Sequence, residues 1–173
     1  MVQHCQVVVL QEEIKTAFQI NSITFVFAWP EETSYVTDFT ISMANVENDQ
    51  LIETFSQNYD PGTLVEVYHC DSLCLENGYG NELVLELDTP FFYNGQDNLL
   101  IDIYYPDGEC WSRVYNWEAG TARCLRYLFL PGGSGSSTGY FFEWIPYMVF
   151  EGTANFDQST FGAVKVILGD INH

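Results

Sequence analysis

An antiparallel all-β sandwich, jelly-roll or immunoglobulin-like, is the fold this sequence predicts, and three observations predict it. Apolar and polar residues alternate over short runs, no stretch carries sustained helical periodicity with caps, and turn signals recur at the spacing of sandwiches and barrels. The clearest run is Glu82 to Tyr105. Leu83, Leu85 and Leu87 alternate with Val84, Glu86 and Asp88, and Leu99, Ile101 and Ile103 alternate with Leu100, Asp102 and Tyr104, so two half-buried strands share one core. Between them Pro90 lacks a ladder donor and is expected to end the first strand, while Asn94-Gly95 tolerates the positive φ of a turn.

The remaining elements follow in order. Cys5 to Leu10 (CQVVVL) is apolar on both faces, which places it centrally in a sheet, and Gln11 to Phe18 has room for a single helical turn. Ile23, Phe25 and Phe27 point inward up to a stop at Pro30, and Phe39, Ile41 and Met43 alternate with Thr40 and Ser42. After a turn cluster at Asn45 to Gln50, Leu51 to Phe55 reads as a short edge segment and Asn58 to Gly62 as a tight turn. Thr63 to Cys70 is a strand and Cys70 to Asn81 a loop. Beyond the central pair, Asp107-Gly108 makes a turn, and CWSRVYNW and RCLRYLFL form two strands around Glu118-Ala119-Gly120. Pro131 to Gly139 is a flexible loop, and YFFEWIPYMVFEG, from Tyr140 to Gly152, a final long strand.

The run LDTPFFYNGQDNLLIDI resembles a signature of β-sandwich modules from large secreted and surface proteins of environmental bacteria, in which a strand ends in a T-P-F turn and resumes as N-L-L-hydrophobic-D. His4 to Phe27 is similar to the opening of such a module, and EWIPYMVFEG, from Glu143 to Gly152, to its closing strand. The resemblance implies a sandwich and an extracellular or cell-surface setting. It carries no catalytic residue.

A chain of 173 residues is a natural length for one domain, and neither a repeat nor a linker divides residues 1–173. Hydrophobic residues make up 47% against 17% charged, a globular balance despite a net charge of -19 from 24 acidic and 5 basic residues. That acidity repels phosphates and anionic lipid, so nucleic acid is not an expected partner. No run approaches the roughly 18 to 20 apolar residues of a membrane helix, so membrane insertion is not expected either. The N-terminus has no basic region or signal-like apolar core, and a secreted form would have lost its signal peptide already.

Reactive constellations are scarce. His4, His69 and His173 form no H-E-x-x-H pair, no glycine loop precedes a lysine as in a phosphate cradle, and Gly133-Ser134-Gly135 lies in a loop instead of a strand-to-helix elbow. The expected protein is not an enzyme and needs no cofactor; His69-Cys70 with Cys74 offers only a partial zinc set, and calcium is the favoured ion if one is bound. Loop oxygens of Asp97, Asp102, Asp107 and Glu109 are its candidate ligands, because calcium asks only for carboxylates and carbonyls. Trp29, Trp111, Trp117, Trp144 and the tyrosines Tyr79, Tyr104, Tyr105, Tyr115 and Tyr140 offer faces on which a polysaccharide could stack, or else fill the core. Arg113, Arg123 and Arg126 fall on one expected hairpin and are expected to pair with carboxylates.

Five cysteines suit an exported protein. If the hairpin pairs, Cys110 and Cys124 come within disulfide range, and Cys70 with Cys74 closes a small loop, leaving Cys5 buried or used between subunits. If the sandwich closes with IPYMVFEG, as the resemblance suggests, residues 153–173 are an extra strand, with Val164, Val166 and Leu168 on one side and Lys165 and Ile167 on the other. Either it folds back as an edge strand, or it joins a neighbour's sheet; Val7 and Val9 of the N-terminal run offer the same from the other end. The function these features favour is a structural subunit of a surface fibre or scaffold that self-associates into a homo-polymer. The alternative is a carbohydrate-binding module of a secreted enzyme or adhesin.

Overall fold

The computed structural model describes residues 2–28, 32–108, 114–119, 122–129, 136–157 and 160–168. Its strands are β1 (Val2–Val9), β2 (Phe18–Val26), β3 (Glu32–Val46), β4 (Val65–Asn77), β5 (Glu82–Tyr93), β6 (Asn98–Tyr105) and β7 (Asp107–Gly108). They continue with β8 (Asn116–Glu118), β9 (Cys124–Phe129), β10 (Tyr140–Phe142), β11 (Trp144–Pro146), β12 (Met148–Asp157) and β13 (Thr160–Leu168). One helical turn, α1 (Gln11–Ile14), follows β1, and a 3-10 turn spans Phe55–Gln57. The larger sheet runs β10-β9-β1-β6-β3-β4, with β7 added to β3; the smaller runs β13-β12-β2-β5; β8 and β11 form a separate pair. All pairings are antiparallel, and the two main sheets pack face to face as a sandwich.

The core is built by alternation. On β1, Cys5, Val7 and Val9 enter the space between the sheets, while Val8 faces outward under a second apolar layer; on β6, Ile101 and Ile103 point in and Leu100 points out. Both faces of β1 are therefore buried, as its doubly apolar run predicts. Each such side chain taken fully out of water contributes roughly 1.5–3 kcal/mol before entropy is set against it. The outer layer is Val8, Ala44, Val46, Leu51, Phe55, Leu100 and Leu125. Leu51 to Phe55 is thus no edge segment: it lies across the outer face of the larger sheet, because Leu51 and Phe55 find more apolar surface there than a sheet margin would give them.

Beneath that cover runs a polar network. His4 Nε2 lies 2.9 and 3.0 Å from the two Asp102 carboxylate oxygens, and its ring stacks on Phe55 at 3.7 Å. Gln6, fully buried, donates to Asp102 and to the Phe55 carbonyl, and Asn58 donates to Gln6 and to the Ile52 carbonyl. These bonds hold the cover in addition to its apolar contacts.

Several sequence expectations are corrected. Pro90 interrupts the β2–β5 ladder without ending the strand: pairing stops after Ser22↔Glu86 and resumes at Ile20↔Phe91, so the missing donor falls in a bulge. The turn after it is built as expected, with Gly95 at φ 72° and the Asn94 side-chain oxygen accepting from the Gln96 and Asp97 backbone. Cys70 to Asn77 is strand, because β4 pairs with β3 as far as Asn77↔Glu32. The run YFFEWIPYMVFEG is three strands in three sheets, β10 beside β9, β11 beside β8, and β12 beside β2. Pro146 closes the middle piece. The expected hairpin of CWSRVYNW with RCLRYLFL does not form among the described residues, since β8 pairs with β11 and β9 with β1 and β10.

Residues 153–168 are not surplus. β12 continues to Asp157, and β13 folds back on it from Met148↔Leu168 to Asp157↔Thr160, with Leu168 2% exposed and Val164 and Val166 packed on the core while Lys165 and Ile167 face out. Val7 and Val9, 0% exposed, sit in the centre of the larger sheet between β6 and β9. Of the two arrangements the sequence allows for these ends, the structure has the one in which each strand completes its own sandwich.

Candidate functional site at the sandwich end

The candidate site is a cavity of about 380 Å³ between the sheets. The larger sheet supplies Gln3 and Cys5 from β1, Phe39, Leu75, Ile103 and Tyr105 from β3, β4 and β6, and Arg126 and Phe142 from β9 and β10. The smaller sheet adds Phe25 and Leu83, with Phe27 just beyond β2. Val114, Asn116, Trp144 and Pro146, from the β8–β11 region where the chain crosses between sheets, complete the wall. Trp144, 51% exposed, and Phe142, 38% exposed, stand at the rim.

Most of this wall is apolar, and its polar groups are few. The Tyr105 hydroxyl donates to the Gln3 side-chain oxygen at 2.8 Å, and the Asn116 amide to the Val114 carbonyl at 2.9 Å. Arg126 is the charged member: its guanidinium carbon lies 5.4 Å from the Phe142 ring centroid, and its buried Nε has no hydrogen-bond partner among the described residues. Among the described residues no carboxylate pairs with it; the ion pairs are His4–Asp102, His69–Asp71, Arg123–Glu13 and Lys165–Glu151. An arginine with no carboxylate partner among the described residues, in a chain with 24 acids and 5 bases, is the feature that singles this cavity out.

Two thiols lie beside that guanidinium. Cys5 and Cys124 face the same interior space from neighbouring strands, with their sulfurs 3.9 Å apart. The Cys5 thiol is pulled down to about 6, first by the hydrogen bond from Cys124 and also by the Arg126 charge, against the opposing cost of burial. Cys124 is pushed up, because its proton is held by Cys5 and its site is buried.

The residues singled out in the sequence are dispersed. Asp97 lies in the β5–β6 turn, where its carboxylate accepts from Asn94 at 2.6 Å; Asp102 is engaged by His4 and Gln6; Asp107 opens β7. Five residues of strand separate neighbouring members by roughly 16 Å, so these three do not converge on a calcium ion. Glu109 lies outside the described residues. A different donor set, Asp38, His69 and Asp71, does come together, fully on the surface. Cys70 and Cys74 are both free and sit four residues apart on one continuous strand, about 13 Å along it, which no disulfide spans. Cys110 lies outside the described residues, while the hairpin that was to bring it to Cys124 is replaced by other pairings.

Of the aromatic faces, Trp144, Tyr79 and Tyr140 are exposed, Tyr105 is buried and Trp117 packs on the core under Arg123, whose guanidinium carbon is 5.4 Å from its ring. Trp29 and Trp111 lie outside the described residues. Tyr79 is in the β4–β5 turn and Tyr140 on an outer strand, so the exposed rings form no single platform. Sequence reasoning missed the cavity because its wall is assembled from ten strands that no local pattern links. The signal present in the sequence was Arg126, a charge at an inward position of an alternating strand. Comparison with known proteins finds no matching family model, no matching curated protein and no matching solved structure.

Proposed function

We propose that the protein is a non-enzymatic binding module whose ligand occupies the cavity between the sheets. The ligand is a small amphipathic molecule, with an apolar body among Phe25, Phe27, Phe39 and Ile103 and a head of acceptor oxygens turned toward Arg126. One observation carries this reading: a cavity of about 380 Å³, within the size range of small-molecule sites, has a mainly apolar wall and one guanidinium whose buried Nε has no hydrogen-bond partner among the described residues. A greasy wall favours an aliphatic or aromatic body over a bare sugar, whose hydroxyls would find too few partners. The resemblance to modules of secreted and surface proteins supports an extracellular setting for such a binder.

The test is calorimetry with decanoate, decanol and maltohexaose. Decanoate and decanol bind and raise the melting temperature, maltohexaose does neither, and Val114→Trp, which fills the cavity, removes binding from a protein whose circular dichroism is unchanged. Failure of both apolar-tailed probes to bind overturns the proposal; binding of maltohexaose alone restores the carbohydrate-binding alternative.

A second reading, a structural subunit that self-associates into a polymer, draws support from β13. Among the described residues no strand pairs with its outer edge, and Ile167 on it is 54% exposed. Long edges with exposed apolar residues are templates for pairing with another copy. Electron microscopy at high protein concentration distinguishes the readings: fibres that vanish in Ile167→Lys support assembly, and a dispersed monomer at every concentration counts against it.

A further inference from the structure

Cys5 and Cys124 hold a geometry that the cavity alone does not require. In the β1–β9 ladder Cys5 stands opposite Arg126 and Cys124 opposite Val7, so the two cysteines are diagonal neighbours on one face of adjacent antiparallel strands. Diagonal partners reach each other only when both side chains lean together, and here they do, to 3.9 Å between sulfurs. A disulfide needs about 2.05 Å, a gap closed by side-chain rotation and a small slide of β9, which has only the three-residue β10 on its other side.

From this we infer that Cys5 and Cys124 are a disulfide-forming site, a dithiol at the cavity floor that is oxidised by exchange with a small-molecule disulfide.

The two sulfurs are not equivalent. Both sulfurs are buried, but Cys5, 2% exposed, lines the cavity and is the one a reagent entering it meets, whereas Cys124, 0% exposed, is no part of the cavity wall. The Arg126 charge and the Cys124 hydrogen bond both favour the thiolate at Cys5, so Cys5 is the attacking group and Cys124 the resolving one. In the first step the Cys5 thiolate attacks one sulfur of the reagent, its S–S bond breaks, and one thiolate leaves. In the second, Cys124 attacks the Cys5 sulfur of the mixed disulfide and its proton passes to the departing half of the reagent, which leaves as a thiol. The protein loses two electrons and the reagent gains them. The product bond staples β1 to β9 and removes the Cys5 thiolate charge beside Arg126.

The experiment is exposure of the reduced, folded protein to oxidised glutathione, followed by acid quench, proteolysis without reductant and mass spectrometry. The expected result is a peptide pair joined through Cys5 and Cys124, with two molecules of reduced glutathione released per chain from this site. Cys124→Ser is expected to halt at a glutathione adduct on Cys5, and Cys5→Ser to release none from this site. A bond from Cys124 to Cys110, or modification confined to Cys70 and Cys74 with Cys5 and Cys124 still free, overturns the inference. The wild-type mapping decides the matter even if a serine variant does not fold.

Discussion

Arg123, just before β9, and Glu13 on α1 meet in a two-pronged ion pair, Nη1 donating to Oε1 at 3.1 Å and Nη2 to Oε2, while the Arg123 Nε donates to the Val8 carbonyl. The guanidinium side chain is 6% exposed and the carboxylate side chain 20%. One pair therefore ties the only α-helical turn among the described residues to the centre of the larger sheet.

Breaking that pair from one side leaves a buried charge without its counter-ion, which costs more than the pair contributes. Glu13→Gln is expected to lower the unfolding free energy by about 3 kcal/mol. Arg123→Met together with Glu13→Leu should recover much of that loss. Urea titration checks both; equal destabilisation by the single and the double variant would contradict the account.

Gly152 sits at the register shift between β12 and β2, where an added Cβ would run into the Gln19 carbonyl oxygen. That neighbour is backbone and cannot rotate away. Gly152→Ala is expected to cost about 3 kcal/mol, the upper part of the usual overpacking range. Gly62→Ala is the control: its φ is +87° but nothing lies within 4 Å, so the backbone strain alone should cost roughly 1 kcal/mol. Thermal or urea denaturation of the two variants should keep that order.

The Cys5 thiol sets a pH dependence. Its folded-state pKa of about 6 lies below the ordinary 9.0, so the thiolate contributes stability that is complete above pH 9 and lost as the pH falls through 6. Cys124 works in the other direction, holding its proton in the folded state, and its contribution is lost as the pH rises past the ordinary value. Stability attributable to this pair should climb between pH 6 and 9 under reducing conditions. Denaturation across that range, compared with Cys5→Ala, checks it; parallel curves for the two proteins would remove the thiolate from the account.

Deleting Phe161 to His173 strips Leu168, Val164 and Val166 from the core and leaves β12 without its outer neighbour. Truncating one buried leucine to alanine already costs about 2–5 kcal/mol, so the deletion is expected to unfold the domain. Circular dichroism of the truncated chain is the measurement. A cooperative melt from it would show that β13 is dispensable to its own sandwich.

The sandwich was legible in the sequence because each strand announces itself by local alternation: Phe39, Ile41 and Met43, or Leu99, Ile101 and Ile103, are sufficient alone. Pairing was less so. RCLRYLFL seeks a partner, but whether that is the nearest strand or β1, over a hundred residues earlier, depends on which sheet closes first, and proximity in sequence points to the wrong one. The three-way division of YFFEWIPYMVFEG was hidden for the same reason, since continuous apolar character does not say where the chain changes sheets. Of the site, Arg126 and the two cysteines were visible as residues. Their meeting was not, because it depends on the β1–β9 register.

The central place of β1 has a consequence for synthesis on the ribosome. Its two neighbours are recruited from far down the chain, Gln3 opposite Tyr105 and Val2 opposite Phe129, so the first strand of this sandwich to be made is among the last to be housed. Topologies dominated by such distant pairings close slowly, on a scale of roughly milliseconds to seconds, because loop entropy is spent before contacts repay it. Until β9 has left the exit tunnel, the doubly apolar run from Cys5 to Val9 has no second neighbour, and a nascent chain that stalls before Cys124 presents it to chaperones or to other nascent chains.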